Sequence, residues 1–353
     1  MAPCSPSRWS GSRRSGPGCG RSSDPPRDRP RKALDPAHGG ADPSPDPVLS
    51  RPLRAFWIAV LAFVWGSTWL VIKIGLEDLP PFLSAGVRFT IAAGILAGLS
   101  WGRGVPFPRG ARLHAGLLAV GSLGFVLSYG VVYWGEQYIP SGLSAVLFAT
   151  NPLFVLWIAH LALSSERITA RKAMGTGLGF VGVALIFGSD LALVHPRAPL
   201  AAALTLLSPL AAALSSVGIK KWGQPFHPYT LTLLPMSYGA VGLLAISWAT
   251  EDLAAARWTP AAATATLYLA VFGSVLAFVV YYRLLKEVAV SSLSLITYLF
   301  PVVAVALGWV VLDERLTGWM LAGAGLVVAG IALATARRGA APVPEAMAEE
   351  EAG

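Results

Sequence analysis

From Arg54 to Thr335 the chain is a succession of apolar segments of about 20 residues, each broken by a short polar link. An α-helix of about 20 residues crosses the roughly 30 Å hydrocarbon core of a bilayer. The segments predict helices over 55–75, 81–101, 113–134, 140–163, 171–189, 199–220, 228–249, 262–282, 290–312 and 317–336, ten in all. The runs do not alternate with period two, which a membrane β-barrel requires. Charged residues make up 13% of the 353 and apolar residues 54%, where soluble domains carry about 25% charge. So little charge leaves too little polar surface for a soluble fold. The expected class is an all-α polytopic membrane protein.

Residues 1–53 read as a disordered Pro/Arg-rich tail. Its first 50 residues hold ten prolines, eight Lys or Arg and five Asp, and such a segment cannot bury enough apolar surface to fold alone. No apolar run follows its basic start, so it is not a secretory signal; an over-extended start of translation stays open as another reading. Residues 337–353 form a short acidic tail. Ten spans put both termini on one side. That side collects fourteen basic residues: Arg51, Arg54, Arg103, Arg109, Arg112, Arg167, Arg171, Lys172, Lys220, Lys221, Arg283, Lys286, Arg337 and Arg338. The opposite links hold Arg197, Arg257 and Arg315, with Lys73 near a span end, among Glu77, Asp78, Asp190, Glu251, Asp252, Asp313 and Glu314. Basic residues mark the cytoplasmic side, so both termini are expected there. The net charge of +8 is therefore a topology signal and not a nucleic-acid surface.

The chain repeats itself at about half its length. Pro152, then Glu166-Arg167, find counterparts in Pro301 and Glu314-Arg315; Gly175, Gly177 and Gly182 fall on Gly323, Gly325 and Gly330 at a constant offset of 148. Lys73 and Pro81 fall on Lys220 and Pro228 at 147, and Tyr133 on Tyr282 at 149. The expected units are 54–189 and 198–336, with five helices each. An odd number sends the second copy into the membrane from the other side, giving two inverted-topology five-helix repeats, the plan of many secondary transporters.

Several of these residues together resemble the EamA family of the drug/metabolite transporter superfamily. Trp65-Gly66-Ser67-Thr68-Trp69 with Lys73 and Gly75 is similar to the family's first helix, and Arg88-Phe89 to its second. Glu166-Arg167 and Glu314-Arg315, each between a Pro-bearing helix and a Gly-rich one, are similar to the end of each repeat. The likeness covers about residues 55–336. It implies an inner-membrane carrier that exports amino acids or other small metabolites. The second repeat departs from the first: it has no Trp-Gly-Ser at its start, and Pro235 lies where Arg88 would map.

Charged groups deep in a span are costly, which singles out a few residues. Arg88 reads as a cavity cation for a substrate carboxylate, as the partner of a structural carboxylate, or as a packing residue. Lys73, Trp69 and Trp65 share one helix face and read as part of an outer gate or anion site, or as interfacial anchors; Ser67 lies among them. Lys220, beside Lys221, reads as a topology signal. Glu136 reads as a partner for Lys73 or Arg88, as a proton-coupling group, or, near the outer interface, as a solvated carboxylate. Asn151-Pro152 and Phe300-Pro301 are repeat-related kinks whose freed carbonyls suit a polar substrate group. Tyr129, Tyr133, Tyr282, Tyr298 and Trp309 are candidate cavity aromatics. His160 reads as a proton-transfer group or as a hydrogen-bonded core or boundary residue, and Glu166 and Glu314 as structural groups that cap the following helix or pair with basic neighbours.

No Cys/His cluster has metal-site spacing, and no Gly-Lys-Ser/Thr follows a Gly run, so neither a resident metal nor ATP is expected. A membrane enzyme needs a nucleophile paired with a base at one depth, which these residues do not offer. The expected function is a secondary-active or facilitative carrier of a small molecule, with proton coupling left open and no other cofactor. Drug-like or lipid-related compounds and nucleotide sugars are the alternative substrates, and a homodimer is compatible with the sequence.

Overall fold

The computed structural model describes residues 49–107, 109–162, 169–187, 194–223, 226–288, 290–314 and 317–335. Almost all of both expected tails lies outside these ranges. Within them the chain is α-helical, in two series. The first is α1 (Arg51–Leu76), α2 (Pro81–Gly102), α3 (Ala111–Gly135), α4 (Ser141–Ala162) and α5 (Ala170–Phe187). The second is α6 (Ala198–Trp222), α7 (Pro228–Thr250), α8 (Pro260–Glu287), α9 and α10 (Gly318–Thr335), where α9 joins Val290–Leu293, the 3-10 turn Ser294–Tyr298 and Leu299–Leu312. Among the described residues, seven of these, α1–α4 and α6–α8, are long and apolar enough to cross a membrane. Three shorter apolar stretches, Ala173–Leu185, Leu299–Leu312 and Gly318–Gly330, lie in α5, α9 and α10. The chain is a multi-pass, all-α membrane protein.

α1 starts at Arg51, inside the stretch expected to be tail. Pro52 sits in its first turn, where a missing N–H costs nothing. Glu287 at the end of α8 accepts from the Leu49 N–H at 3.3 Å and pairs with Arg54 at 3.6 Å, tying the entry segment down.

Besides α9, four helices are interrupted. In α4 the pieces Ser141–Phe148 and Asn151–Ala162 are separated by a turn, because Pro152 has no N–H for the Phe148 carbonyl. In α6 the break is at Leu206, where Pro209 removes the donor for Thr205. α3 and α8 carry π-helical turns over Ser122–Leu127 and Val271–Leu276, which stand 149 residues apart. π turns recur at functional sites.

The packing has the same symmetry. α2 packs on α7 and α5 on α10, which are repeat mates; α1 lies against α8 and α9, and α6 against α3 and α4. Thr68 of α1 abuts Gly273 in one π turn, and Ser215 of α6 abuts Gly124 in the other. Thr68 and Ser215 are themselves 147 apart.

Candidate functional site

The interrupted helices together with α1 line a cavity of about 100 Å³. α1 supplies Trp65, Thr68 and Trp69, α3 supplies Phe125, Ser128 and Tyr129, and α4 supplies Phe148 and Asn151. From the second series come Ser208, Ser215 and Ser216 of α6, Phe278, Tyr281 and Tyr282 of α8, and Ser294, Thr297 and Phe300 of α9. Both series contribute matching elements, and Phe148 and Thr297, whose helical donors Pro152 and Pro301 remove, are repeat mates that both line the cavity.

The wall is aromatic and hydroxylic. Trp65 packs edge-on against Phe278 and Phe300, and its Nε1 donates to the Gly273 carbonyl at 3.2 Å. Ser128 and Ser208 share a hydrogen bond of 2.9 Å across α3 and α6, and Tyr281 Oη donates to Ser216 Oγ at 3.1 Å. Asn151 Nδ2 donates to the Pro209 carbonyl at 2.8 Å, pinning the break in α4 to the break in α6. Trp69 Nε1 is buried and donates to no acceptor. Among the described residues, no Asp, Glu, Lys, Arg or His lines this cavity. A donor set of hydroxyls, one indole and one amide can orient an uncharged polar group among rings, but it offers no full charge to a phosphate.

Arg88 stands behind the wall rather than in it. It is 1% exposed, and its guanidinium is spent on three bonds: Nε to Ser274 Oγ at 2.9 Å, Nη1 to Tyr133 Oη at 3.1 Å and Nη2 to the Gly273 carbonyl at 3.2 Å. Its Cζ lies 4.9 Å from the Phe89 ring centroid and 5.0 Å from that of Tyr129. The side chain thus clamps α2 to α3 and to the π turn of α8. No carboxylate among the described residues comes within ion-pair distance of it.

Lys73 also turns away from the cavity its neighbours line. Its ammonium donates to the carbonyls of Glu136 and, at 3.1 Å, Ile139, just past α3. Lys220 makes the same pair of bonds to the carbonyls of Leu285, in the last turn of α8, and, at 3.0 Å, Val288, just past it. Cations suit the negative end of a helix, and each lysine ties the first helix of its series to the third. This role is additional to the topology signal expected of Lys220. Lys73→Met should therefore destabilise the fold by about 1–2 kcal/mol, since two carbonyls lose a charged donor. Unfolding in detergent, compared with Lys220→Met, checks this, and similar losses are expected.

Glu136 is fully buried, where plain solvation was expected. The first turns of α6 cover it: Thr205 packs on the adjoining Gly135. Neither carboxylate oxygen accepts a hydrogen bond. Glu314 does act as a cap, though of a helix in the other series. Asp313, at φ 50°, turns the chain back past the end of α9. Glu314 then accepts from the Ser141 N–H at 2.9 Å, the Ser141 hydroxyl at 2.7 Å and the Gly142 N–H at 3.4 Å, at the N-terminus of α4. Glu166 lies outside the described residues.

Of the residues singled out in the sequence, Trp65, Trp69 and Asn151 line the cavity, with Tyr129 and Tyr282. Ser67 does not; its hydroxyl shares a 2.7 Å hydrogen bond with Tyr268. Tyr133 is buried on Arg88. Pro152 and Pro301 are buried beside the cavity residues Asn151 and Phe300. The Tyr298 side chain lies outside the described part. Trp309 is 64% exposed on the outer face of α9, and His160 is exposed, which leaves the boundary reading and not the core one. The cavity hydroxyls were missed; the one signal for them was the repeat relation of Thr68 and Ser215. Among the described residues no group of His, Cys, Asp or Glu has metal-site geometry.

A family model for the EamA-like transporter family matches residues 53–188 and 199–336. The "Uncharacterized inner membrane transporter YedA" of Escherichia coli (strain K12) is 34% identical over 282 residues, 78% of this chain and 88% of that protein. The "Uncharacterized transporter YoaV" of Bacillus subtilis (strain 168) is 29% identical over 284 residues, 79% of this chain and 95% of its own. A solved crystal structure shares the fold with a TM-score of 0.60 at 17% identity, over 81% of this chain and 97% of that one.

Proposed function

The chain belongs to the EamA-like transporter family, and on that premise we propose that it is an inner-membrane secondary carrier exporting small amphipathic metabolites by alternating access. It is a transporter and not an enzyme, like the relatives it matches. In this reading α1–α5 and α6–α10 are two inverted repeats of five spans, with both termini cytoplasmic. The contacts between links support it. Asp78 pairs with Arg257 at 2.7 Å, Glu251 accepts from the Phe82 N–H at 2.7 Å, and Glu314 caps α4, all at the end expected outside. Arg54 with Glu287, and Lys220 with Val288, meet at the end expected inside. Exposed tryptophans stand at both ends, Trp101 and Trp222 at one, Trp248 and Trp258 at the other, as interfacial anchors do.

The observation that carries the substrate class is the uncharged cavity shared by both repeats. Rings take apolar surface, and hydroxyls with the Trp69 N–H take acceptor groups. Neutral compounds fit, including amino acids with large apolar side chains, whose carboxylate would find the N-terminus of Asn151–Ala162. Nucleotide sugars do not, because nothing in the wall neutralises a phosphate.

Counterflow in proteoliposomes tests this without knowledge of a coupling ion. Labelled tryptophan and leucine should exchange saturably, and glutamate and a uridine-diphosphate sugar should not. Trp69→Phe keeps the ring and removes its donor, so half-saturation should rise by about 3–10-fold. Exchange of the anionic compounds alone would overturn the assignment.

A further inference from the structure

The outer end of the fold holds a buried ionisable group whose side chain none of the above uses. Glu136 follows the last residue of α3, where the first turns of α6 close over it. It is 0% exposed, and both carboxylate oxygens are without hydrogen-bond partners. The hydroxyls of Ser144 in α4 and Thr205 in α6 are buried and unpartnered as well. The charges around Glu136 are committed elsewhere. Lys73 from α1 gives its ammonium to the carbonyls of Glu136 itself and Ile139. Arg88 from α2 is spent on Tyr133, Ser274 and Gly273. Glu314, following α9, holds the N-terminus of α4 and repels a second carboxylate. On the α6 side, Arg197 donates to Tyr138 at 3.1 Å and His195 packs at a tilt against the same ring, at the exposed rim.

We propose that Glu136 is a proton-binding site in the outer seam between the repeats, protonated when the seam is closed and ionised when it opens. The inference rests on the carrier reading above, which supplies the two states. A carboxylate shut away with no donor is disfavoured as an anion, and the neutral acid is not. Burial accordingly pushes the Glu136 carboxyl well above the usual carboxylate range, more than Lys73 pulls it down. Closing the seam therefore takes one proton from the outer water onto a Glu136 oxygen, and opening returns it. The sign follows from linkage: the closed form binds the proton more tightly, so it is favoured at low pH and lost as pH rises through the closed-state pKa. Acidity outside holds the outer seam shut.

Thiol accessibility reads this directly. In a full-length chain carrying Cys4→Ser and Cys19→Ser, Thr205→Cys places a thiol inside the seam; Ser144→Cys is the second position, should the first fail to fold. A membrane-impermeant methanethiosulfonate reagent is applied outside cells across a pH series, with and without Glu136→Gln. The glutamine is a permanently neutral isostere; an ionised Glu136 would hold the thiol protonated and slow its labelling, so that effect can only work against the rise expected here. The ratio of the two labelling rates should rise with pH, by up to about tenfold per pH unit. Infrared titration of the otherwise unaltered chain should show a protonated carboxyl band that persists above the range of free carboxylates and is absent from Glu136→Gln. A flat ratio, or a band that survives Glu136→Gln, overturns the proposal. Neither readout needs a transported compound, so a failed counterflow counts against the carrier reading alone.

Discussion

Arg88→Ala should destabilise the protein by about 3–5 kcal/mol, the range for deleting a large, fully buried side chain. The loss has two parts. The space left between α2, α3 and α8 cannot collapse, because Phe89, Phe125 and Tyr133 around it are themselves fully buried. Tyr133 Oη also loses the donor it has from Nη1. The other two acceptors lose less: the Gly273 carbonyl keeps Trp65, and Ser274 still donates to the Leu269 carbonyl at 2.9 Å. Arg88→Lys should be almost as damaging, at about 2–4 kcal/mol. An ammonium must then be buried without the planar fork that reaches Ser274, Tyr133 and Gly273 at once. Arg88→Met, of similar volume and uncharged, should be the mildest of the three. Survival of folded protein through a heating series in detergent would rank them. A Met variant that folds and still exchanges a neutral substrate would show that the cation builds the wall and does not bind the cargo. A Met variant that folds normally but loses exchange would return Arg88 to the site.

Arg88 also marks the limit of what the sequence disclosed. Its depth in an apolar segment announced a residue with a partner, but the partners lie 45 to 186 residues away on α3 and α8, and no local spacing points to them. The kinks were legible because proline's missing N–H is a local fact. The π turns were not: no residue type forces one, and their trace is only that Gly124 and Gly273 stand at the repeat offset. The cavity hydroxyls were hidden for a different reason. A Ser or Thr in an apolar helix can bond back to its own backbone, as Thr232, Ser237 and Thr266 do at 2.8 Å, so its presence says nothing about which way the wall lies. Glu136 was misjudged because its place at the helix end, near the outer interface, was taken for exposure. What buries it is the start of α6, a segment more than sixty residues further along the chain.

The glycine runs Gly94-x-x-x-Gly98 and Gly175-x-x-x-Gly179 both suggested helix crossings; a Cβ at Gly94 or Gly98 meets nothing within 4 Å, but the second run belongs to a real crossing, which carries the second large prediction. Gly182→Leu and Gly330→Leu should each separate α5 from α10 and cost about 3 kcal/mol or more, the upper range for overpacking. A Cβ at Gly182 would lie 2.6 Å from the Gly323 carbonyl oxygen and 2.7 Å from the Val327 nitrogen. A Cβ at Gly330 would lie 2.5 Å from both the Gly175 carbonyl oxygen and the Gly179 nitrogen. These neighbours are backbone, so no side chain can swing aside; the helices must part. Gly182 and Gly330 are 148 apart, as are Gly175 and Gly323, so the crossing is one contact made twice across the internal symmetry. Small residues at such crossings let helices approach where lipid supplies no hydrophobic drive. Once the first leucine has opened the crossing, the second has less to break, so the double variant should lose clearly less than the sum of the singles. Gly177→Leu is the control, since a Cβ there meets nothing within 4 Å, and it should be near neutral. Additive losses would mean that the two glycines act in separate contacts, and the symmetric crossing would not be what holds the last helices of the two series together.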